Sequence, residues 1–396
     1  MSLNSVPSAE RVQISFFGKT NAGKSCLINA VTNQNISIVS DIKGTTTDPV
    51  KKAMELLPLG AVLITDTAGY NDNTELGTLR MKKTLQVLSS TDIAVLVTEA
   101  KSGLTDEDRE FIKLFQEKNI KYIIVYNKCD LIKMPVTTQE NEIYVSALKN
   151  ININELKNKI ASISGVEGKN RVLIRDLIKE NDIIFLVTPI DSAAPKGRLI
   201  LPQQQVLRDI LDGNGICITV KETQLKKALE IYPKPKLVIT DSQVFKFVNS
   251  VLPGKIHLTS FSILFARYKG ILETAVEGVK SIENLKDGDI VLISEGCTHH
   301  RQCDDIGTVK LPMWLKNYTK KDLKFEFTSG HGFMENLNKY GMVIQCGGCM
   351  LNDNEVLNRY YAAKKQNIPI SNYGITIAYI NGILERSVEI FPSLKG

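Results

Sequence analysis

Two short cysteine-containing stretches, far apart in the chain, carry side chains that could bind a metal. They are Cys297-Thr298-His299 and Cys346-Gly347-Gly348-Cys349, and each follows a run of residues typical of a β-strand. In open α/β sheets, ligands bind beyond the carboxyl ends of the strands. Two neighbouring parallel strands would therefore bring the two stretches together. Three thiolates and an imidazole favour zinc or an iron-sulfur cluster among biological metals.

The elements that must position these ligands are strands of one small sheet. The predicted strands that end at this edge are Asp289–Ile293, Met342–Gln345 and Ile368–Ile370. A closed zinc site of three cysteines and one histidine is chemically sound. However, these ligands lie in a domain that has its own apolar core. Structural zinc usually holds together small domains that depend on the metal for folding. Three cysteines with a weaker fourth ligand suit a 4Fe-4S cluster that has one accessible iron.

Composition limits the classes of protein that the chain can belong to. With 396 residues and 43% hydrophobic content, it can bury several cores, and we expect three domains. The net charge of +6 is spread along the chain and argues only weakly for a nucleic-acid partner. No apolar run is long enough for a membrane helix, and the polar start lacks a signal peptide's apolar region. We therefore expect a soluble, cytoplasmic protein whose seven cysteines are ligands or buried thiols.

A phosphate-binding loop is predicted near the start of the chain. A β-rich run from Arg11 to Phe17 is followed by a glycine-bounded loop and a helical pattern. In such a loop, backbone N–H groups surround the β-phosphate, Lys24 reaches the β- and γ-oxygens, and Ser25 binds Mg2+. The candidate residues of the loop are Gly18, Asn21, Ala22, Gly23, Lys24, Ser25 and Cys26.

Three further motifs follow in the order that a guanine-nucleotide site requires. Asp66 can hold the metal through water, and the Gly69 N–H can sense a γ-phosphate. Asn127-Lys128-Cys129-Asp130 comes next, and its final carboxylate can accept from both N–H donors of guanine, which adenine does not present. Ser146-Ala147 fits the backbone contact to the guanine O6. Together these motifs predict a P-loop GTPase domain over residues 1–167.

This domain resembles the GTPases of the TrmE, Era and EngA group. The resemblance implies that Gly44 to Pro49 is the first switch, in which Thr46 completes the Mg2+ shell. It also implies that Asn21 coordinates a K+ ion that substitutes for an arginine finger. Tyr70 stands where Ras-like proteins carry a water-orienting glutamine, so intrinsic turnover should be slow. We expect a switch-like GTPase, stimulated by K+, whose catalytic residues are Lys24, Asp66, Gly69 and Thr46.

The middle of the chain has a repeating pattern of strands and helices but no motif for catalysis. The pattern predicts a small parallel sheet over residues 168–262, and we find no nucleophile with its base and no metal-ligand spacing there. The open edges of such a sheet could be covered by a second copy of the chain. We therefore predict two smaller α/β domains with mainly parallel sheets after the GTPase domain, the second over residues 263–396.

The whole arrangement resembles the HydF family, the scaffold maturases of iron-iron (FeFe) hydrogenase. The stretches that carry the resemblance include Ala194 to Ile200, Glu295 to His299 and Cys346 to Cys349. The resemblance implies a 4Fe-4S cluster on Cys297, Cys346 and Cys349. It also implies a di-iron precursor received from the radical maturases HydE and HydG and delivered to apo FeFe-hydrogenase. The middle domain is implied to be the dimerisation unit, which gives a homodimer or a higher oligomer.

One residue departs from the family pattern. A histidine usually precedes the final cysteine pair, and here that position is Gln345, a poor iron ligand. The fourth cluster position would then be filled by His299, by Asp304, by the extra thiol of Cys303 or by solvent. An exchangeable oxygen ligand suits a scaffold best, and we consider Asp304 and His299 equally.

A different class of protein fits part of the same sequence. A GTPase acting in ribosome assembly or tRNA modification, with zinc as a structural metal, would show the same nucleotide motifs. No stripe of alternating aromatic and basic residues supports nucleic-acid binding, so we expect no nucleic-acid partner.

Overall fold

The computed structural model describes residues 10–33, 49–67, 69, 84–133, 139–164, 172–189, 199–232, 234–296, 305–330, 333–334, 336–349 and 351–394. The chain divides into two compact units, Met1–Asn170 and Arg171–Gly396. The predicted boundary after residue 167 lies among residues 165–171, outside the described part of the chain.

The first unit is built on a six-stranded sheet in the order β2-β3-β1-β4-β5-β6. Every pairing is parallel except that of β2 with β3. The strands are Val12–Phe17 (β1), Val50–Leu56 (β2), Gly60–Asp66 (β3), Ile93–Glu99 (β4), Lys121–Asn127 (β5) and Glu142–Tyr144 (β6). Its helices include Lys24–Thr32 (α1), Asp106–Glu117 (α2) and Ile153–Ser164 (α3).

Packing of α2 fixes the strand that leads into the phosphate loop. The helix is capped at its N-terminus by Thr105, whose side chain accepts from the Asp108 N–H while the Asp108 side chain accepts from the Thr105 N–H. Its apolar face brings Phe111 and Phe115 against Phe17, with ring centroids 5.9 and 5.4 Å away. Because Phe17 is the last residue of β1, this aromatic cluster anchors the chain directly before the loop.

The second unit contains two four-stranded sheets, in the orders β10-β9-β7-β8 and β12-β11-β13-β14. All their pairings are parallel. The strands are Ile183–Val187 (β7), Ile216–Val220 (β8), Leu237–Thr240 (β9), His257–Ser260 (β10), Ile290–Ser294 (β11), Lys324–Thr328 (β12), Tyr340–Gln345 (β13) and Ile370–Asn372 (β14). The helices are Leu201–Asp212 (α4), Leu225–Ile231 (α5), Phe245–Val251 (α6), Phe261–Tyr268 (α7), Leu272–Val279 (α8), Leu311–Thr319 (α9), Asp353–Lys365 (α10), Tyr373–Ile380 (α11) and Leu384–Val388 (α12).

One continuous hydrophobic core joins the two sheets of the second unit. It runs from Leu173 to Phe391 and includes the fully buried Phe185, Phe245 and Leu292. The predicted parallel sheets are confirmed, and the predicted boundary between residues 262 and 263 falls inside α7. The third strand begins at Ile370, two residues later than expected.

Within the described residues, no helix is both long and apolar enough to cross a membrane.

Candidate functional site

The phosphate loop has the backbone that its sequence predicts. Gly18 has φ 146°, and a Cβ there would lie 2.2 Å from the Val97 carbonyl oxygen, so no other residue fits. The Lys24 side chain is only 8% exposed. Its Nζ donates to the carbonyl oxygens of Gly18 at 2.7 Å and Lys19 at 2.9 Å. Lys24 therefore spans the loop with its charge inside the concave side, where a phosphate would lie.

A divalent-cation site is outlined by the end of β3 and the start of α1. The Ser25 hydroxyl donates to Asp66 Oδ2 at 2.8 Å. The other carboxylate oxygen, Asp66 Oδ1, is buried and has no hydrogen-bond partner among the described residues. Burial raises the pKa of Asp66, and Ser25 and Lys24 oppose that rise. A hydroxyl beside an unused carboxylate oxygen fits Mg2+, a hard cation that prefers oxygen ligands.

Gly69 lies against the phosphate loop. A Cβ at this position would come within 2.6 Å of Thr20 Oγ1 and 2.7 Å of the Thr20 nitrogen. The backbone after Asp66 therefore passes close enough to the loop for its N–H to contact a terminal phosphate. Thr46 and the expected first switch lie in residues 34–48, outside the described part of the chain.

The side chain of Asn127 connects the three segments that would surround a guanine base. Its Nδ2 donates to the Ala22 carbonyl at 3.0 Å, while its Oδ1 accepts from the backbone N–H of Lys128 at 2.9 Å and of Ala147 at 3.1 Å. Lys128 Nζ donates to the Asn21 carbonyl at 2.9 Å and pairs with Glu99. These contacts fix the phosphate loop, β5 and the Ser146-Ala147 segment relative to one another.

Asp130 is presented at this site as a carboxylate. A hydrogen bond with the Ser146 side chain lowers its pKa, and Lys149, whose Nζ lies 3.6 Å from Asp130 Oδ2, acts in the same direction. An ionised carboxylate can accept two N–H donors at once, as recognition of guanine requires. Cys26 is exposed in the first turn of α1.

In the second unit, a row of buried polar residues crosses the carboxyl ends of one sheet. The strand register aligns Thr328, Ser294, Gln345 and Asn372 across β12, β11, β13 and β14. All are at most 8% exposed. Polar side chains at such depth normally have hydrogen-bond partners. This polar row lies at the ends of the strands, where Ser294 and Gln345 directly precede Glu295 and Cys346.

The loop after β13 turns back on itself so that backbone amides approach a sulfur. Cys346 Sγ accepts from the Gly296 N–H at 3.0 Å and from the Gly348 N–H at 3.4 Å. Gly348 has φ 64°, a left-handed conformation that glycine adopts without strain. Burial raises the pKa of the Cys346 thiol, whereas the two N–H donors and Arg359 lower it. Cys349 lies on the same loop and is partly buried.

The predicted meeting of the two cysteine stretches can be followed up to Gly296. β11 and β13 are neighbouring parallel strands, and Gly296 contacts Cys346. Cys297, His299 and Asp304 lie in residues 297–304, outside the described part of the chain, so their positions stay predictions. Within the described residues, no group of three or more His, Cys, Asp or Glu side chains is arranged to hold a metal ion.

Several charged and polar residues around this loop carry no sequence motif. Lys269 is 4% exposed, and its Nζ donates to the carbonyls of Gly348 at 2.9 Å and Leu351 at 2.8 Å. Glu295 is 5% exposed, and its Oε1 accepts from the Tyr373 hydroxyl at 3.3 Å. Arg359 pairs with Glu355 at 2.8 Å, and both side chains are buried. Sequence reasoning missed the roles of Lys269, Glu295 and Arg359 because their contacts depend on the fold. Lys269 reaches the loop from 79 residues away, and Glu295 bonds to Tyr373, 78 residues later.

The donors around Cys346 fit an anionic iron-sulfur cluster. The Gln345 side chain is 1% exposed, yet neither its Oε1 nor its Nε2 has a hydrogen-bond partner among the described residues. The Tyr360 hydroxyl is likewise buried without a partner there. Leaving such groups unpaired costs about 1–3 kcal/mol each. Unpaired donors and backbone N–H groups beside a cysteine sulfur suit a cluster, whose sulfurs accept hydrogen bonds.

Three family models match consecutive parts of this chain. The 50S ribosome-binding GTPase model matches residues 13–128. The hydrogen maturase F dimerization domain matches residues 173–270, and the hydrogen maturase F tetramerization domain matches residues 273–390.

Individual relatives resemble only part of the chain. The tRNA modification GTPase MnmE of Desulforamulus reducens is 34% identical over 161 residues, which cover 38% of this chain and 34% of that protein. GTPase Der of Mycoplasmopsis pulmonis is 30% identical over 206 residues, which cover 47% of this chain and 46% of that protein. The chain thus spans between a third and a half of these relatives' length. A crystal structure of a probable GTP-binding protein engB is 24% identical, with a TM-score of 0.32, and covers 39% of this chain and 98% of that chain.

The sheet order, the phosphate loop and the Asn127–Asp130 motif define the first unit as a P-loop GTPase domain. The second unit carries the two domains that are particular to hydrogen maturase F, in sequence order. The chain therefore belongs to the hydrogen maturase F (HydF) family.

Proposed function

We propose that this chain is a GTP-hydrolysing scaffold that binds a 4Fe-4S cluster and carries a di-iron precursor to apo FeFe-hydrogenase. Membership of the hydrogen maturase F family supports the maturation role. The observation that carries the cluster assignment is the hydrogen bond from the Gly296 N–H to Cys346 Sγ, 3.0 Å long. Gly296, the residue that precedes Cys297 in the sequence, therefore lies beside the second cysteine pair.

Cys297, Cys346 and Cys349 would hold the cluster, with Asp304 or His299 as the candidate fourth ligand. Three fixed thiolates leave one iron with a position that cargo can occupy. The N–H groups of Gly296 and Gly348 would stabilise the negative charge on Cys346. Gln345 would act as a hydrogen-bonding neighbour of the bound group, since its buried amide has no partner among the described residues.

In the first unit, the described residues would bind GTP and Mg2+ and stabilise the transferred phosphoryl group. Lys24 would contact the β- and γ-phosphates, while Ser25 and Asp66 hold Mg2+ together with Thr46. The Gly69 N–H would contact the γ-phosphate. Loss of that phosphate on hydrolysis would release the chain that follows Gly69. Asn21 is the proposed K+ ligand.

The proposed partners are a second copy of this chain, HydE, HydG and apo FeFe-hydrogenase. The dimerization and tetramerization models support assembly into a homo-oligomer. In the described residues, the edge strand β8 carries the 45%-exposed Ile216, and an open parallel edge of this kind can pair with another copy.

Metal analysis after anaerobic purification and reconstitution tests the central proposal. A 4Fe-4S scaffold should retain about four irons and four sulfides per chain and show the spectrum of a reducible cluster. Stoichiometric zinc without sulfide would instead indicate a closed structural site. That result would favour a GTPase of ribosome assembly or tRNA modification, the class to which the MnmE relatives belong by name.

A further inference from the structure

Lys269 is a buried lysine that contacts the cysteine loop from a different part of the chain. It is the C-cap residue of α7, and its N–H donates to the Phe265 carbonyl at 2.9 Å. Gly270 follows with φ 72°, which ends the helix and fixes the direction in which the chain continues. The backbone of Lys269 is therefore held in place independently of the loop that its side chain contacts.

The Lys269 side chain joins both ends of the turn that contains Cys349. Its Nζ donates to the Gly348 carbonyl at 2.9 Å and to the Leu351 carbonyl at 2.8 Å. Gly348 O also accepts from the Leu351 N–H at 3.1 Å. Two carbonyls on either side of Cys349 are thus fixed by one ammonium group, which restricts where that cysteine can point.

Burial makes the positive charge of Lys269 effective at this loop. Taking an ammonium out of water is strongly unfavourable unless charges and hydrogen bonds compensate. Among the described residues, Lys269 Nζ forms an ion pair with Asp353 Oδ1. The two atoms are 3.9 Å apart, which is the limit for an ion pair. Burial lowers the pKa of Lys269, and Asp353, Cys349 and Cys346 act in the opposite direction. The ammonium would therefore attract either cysteine in its thiolate form.

We propose that Lys269 is a positioning residue for the cluster site, which holds the Cys346–Cys349 loop by two carbonyls and supplies a fixed positive charge beneath it. The charge stabilises the more negative, reduced state of a bound cluster. Lys269 lies in the segment that matches the dimerization model, whereas the loop lies in the segment that matches the tetramerization model. The contact therefore makes the geometry of the cysteine loop depend on the dimerization segment. The electrostatic part of this inference rests on the proposed function, whereas the positioning part does not.

Hydrogen–deuterium exchange of the full-length, cluster-free protein tests the positioning role. Lys269→Met should make the amides of residues 346–351 exchange several-fold faster, because both carbonyls lose their donor. Lys269→Arg, which keeps the donors and the charge, should stay close to wild type. The matched control is Lys365→Met, on the exposed side of α10. Equal exchange in all four proteins would overturn the positioning role, and circular dichroism shows whether each variant is folded.

A redox titration of the reconstituted protein, followed by electron paramagnetic resonance, tests the charge. Lys269→Met should shift the midpoint potential of the cluster to a more negative value, and Lys269→Arg should restore it towards wild type. A potential unchanged in Lys269→Met would overturn the electrostatic role. If the wild-type protein binds no cluster at all, the proposed function fails, while the exchange experiment still decides whether Lys269 positions the loop.

Discussion

The amide nitrogen of Gly296 lies 3.0 Å from the sulfur of Cys346 and donates a hydrogen bond to it across two neighbouring parallel strands. The two residues come from the carboxyl ends of β11 and β13, where ligand sites of parallel sheets lie. A backbone donor of this kind stabilises a thiolate, the form in which cysteine binds a metal. The contact thus places Gly296, the residue before Cys297, beside the second cysteine stretch.

Replacing this sulfur should separate the two activities proposed for the chain. Cys346→Ser should abolish retention of iron and sulfide after anaerobic reconstitution, because one of three thiolates is lost. GTP turnover should be unchanged, because the nucleotide motifs lie in a separate compact unit. The control is Cys217→Ser on β8, which should retain both properties. Loss of GTP turnover in Cys346→Ser would contradict the independence of the two units.

Nucleotide affinity should depend on pH through Lys24. Burial lowers the pKa of Lys24 to about 8. Above that pH, binding a phosphate must take up a proton, so GDP affinity should fall by up to about tenfold per pH unit.

The stability of the nucleotide-free protein should instead rise with pH above about 8, because of the same lysine. Between pH 8 and the ordinary pKa of 10.5, the unfolded chain binds the additional proton, so the free energy of unfolding rises with pH.

Fluorescent GDP titrations from pH 7 to about 9.5 would measure the first effect and urea unfolding the second. Lys24→Met is the control for both measurements, because it removes the titrating amine. Any pH dependence that is left comes from the guanine base or from other residues. A wild-type affinity that varies with pH no more than that of Lys24→Met would show that Lys24 does not take up the proton.

Asp130 should determine which base the protein accepts. The carboxylate, whose pKa is lowered by Ser146, can accept both the N1–H and the exocyclic N–H of guanine. In Asp130→Asn, one carboxylate oxygen is replaced by an NH2 group. This donor would face an N–H donor of guanine, which is unfavourable, but it could donate to the carbonyl that xanthine carries at the same position. GTP affinity should fall by at least about a hundredfold, and xanthosine triphosphate should bind better than GTP. Competition binding with both nucleotides checks this, and a parallel loss of both would refute base recognition by Asp130.

The nucleotide site could be predicted from the sequence because its chemistry is local. Lys24 and Ser25 follow a strand and open a helix, and the contacts of Lys24 to the Gly18 and Lys19 carbonyls lie within a few residues of chain. The parallel pairing of β11 with β13 also followed from sequence, because the carboxyl ends of parallel strands share one edge. These predictions depended on rules that relate spacing to geometry.

Lys269 and Glu295 could not be predicted, because their roles depend on contacts between distant segments. Lys269 reaches Gly348 across 79 residues, and no spacing rule relates a helix C-cap to a loop that far away. Glu295 stands next to a motif, but the hydrogen bond that it accepts comes from Tyr373, which is 78 residues later. The unpaired amide of Gln345 likewise becomes visible only when the register of four strands is known.

Close packing of α8 on β14 should make the second unit sensitive to one methyl group. A Cβ at Gly278 would lie 2.1 Å from the Ile370 carbonyl oxygen, which is backbone and cannot move aside. Gly278→Ala should therefore lower the free energy of unfolding by about 1–3 kcal/mol or more. Gly254→Ala is the matched control, because nothing lies within 4 Å of its added Cβ. Urea unfolding compares the two, and equal stabilities would mean that α8 does not pack on β14 as described.

Stimulation by K+ should depend on Asn21. This residue has φ 69°, and its carbonyl is held by Lys128 Nζ at 2.9 Å, which leaves the side chain on the exposed side of the phosphate loop. If that side chain coordinates K+, replacing K+ with Na+ should slow GTP hydrolysis, because the smaller ion binds at different distances. The variant should be Asn21→Gly, since glycine adopts a positive φ without the strain that alanine would introduce. Asn21→Gly should hydrolyse GTP slowly and at the same rate in both salts. Steady-state phosphate release at constant ionic strength measures this, and a wild-type rate that is equal in K+ and Na+ would remove the assignment of Asn21.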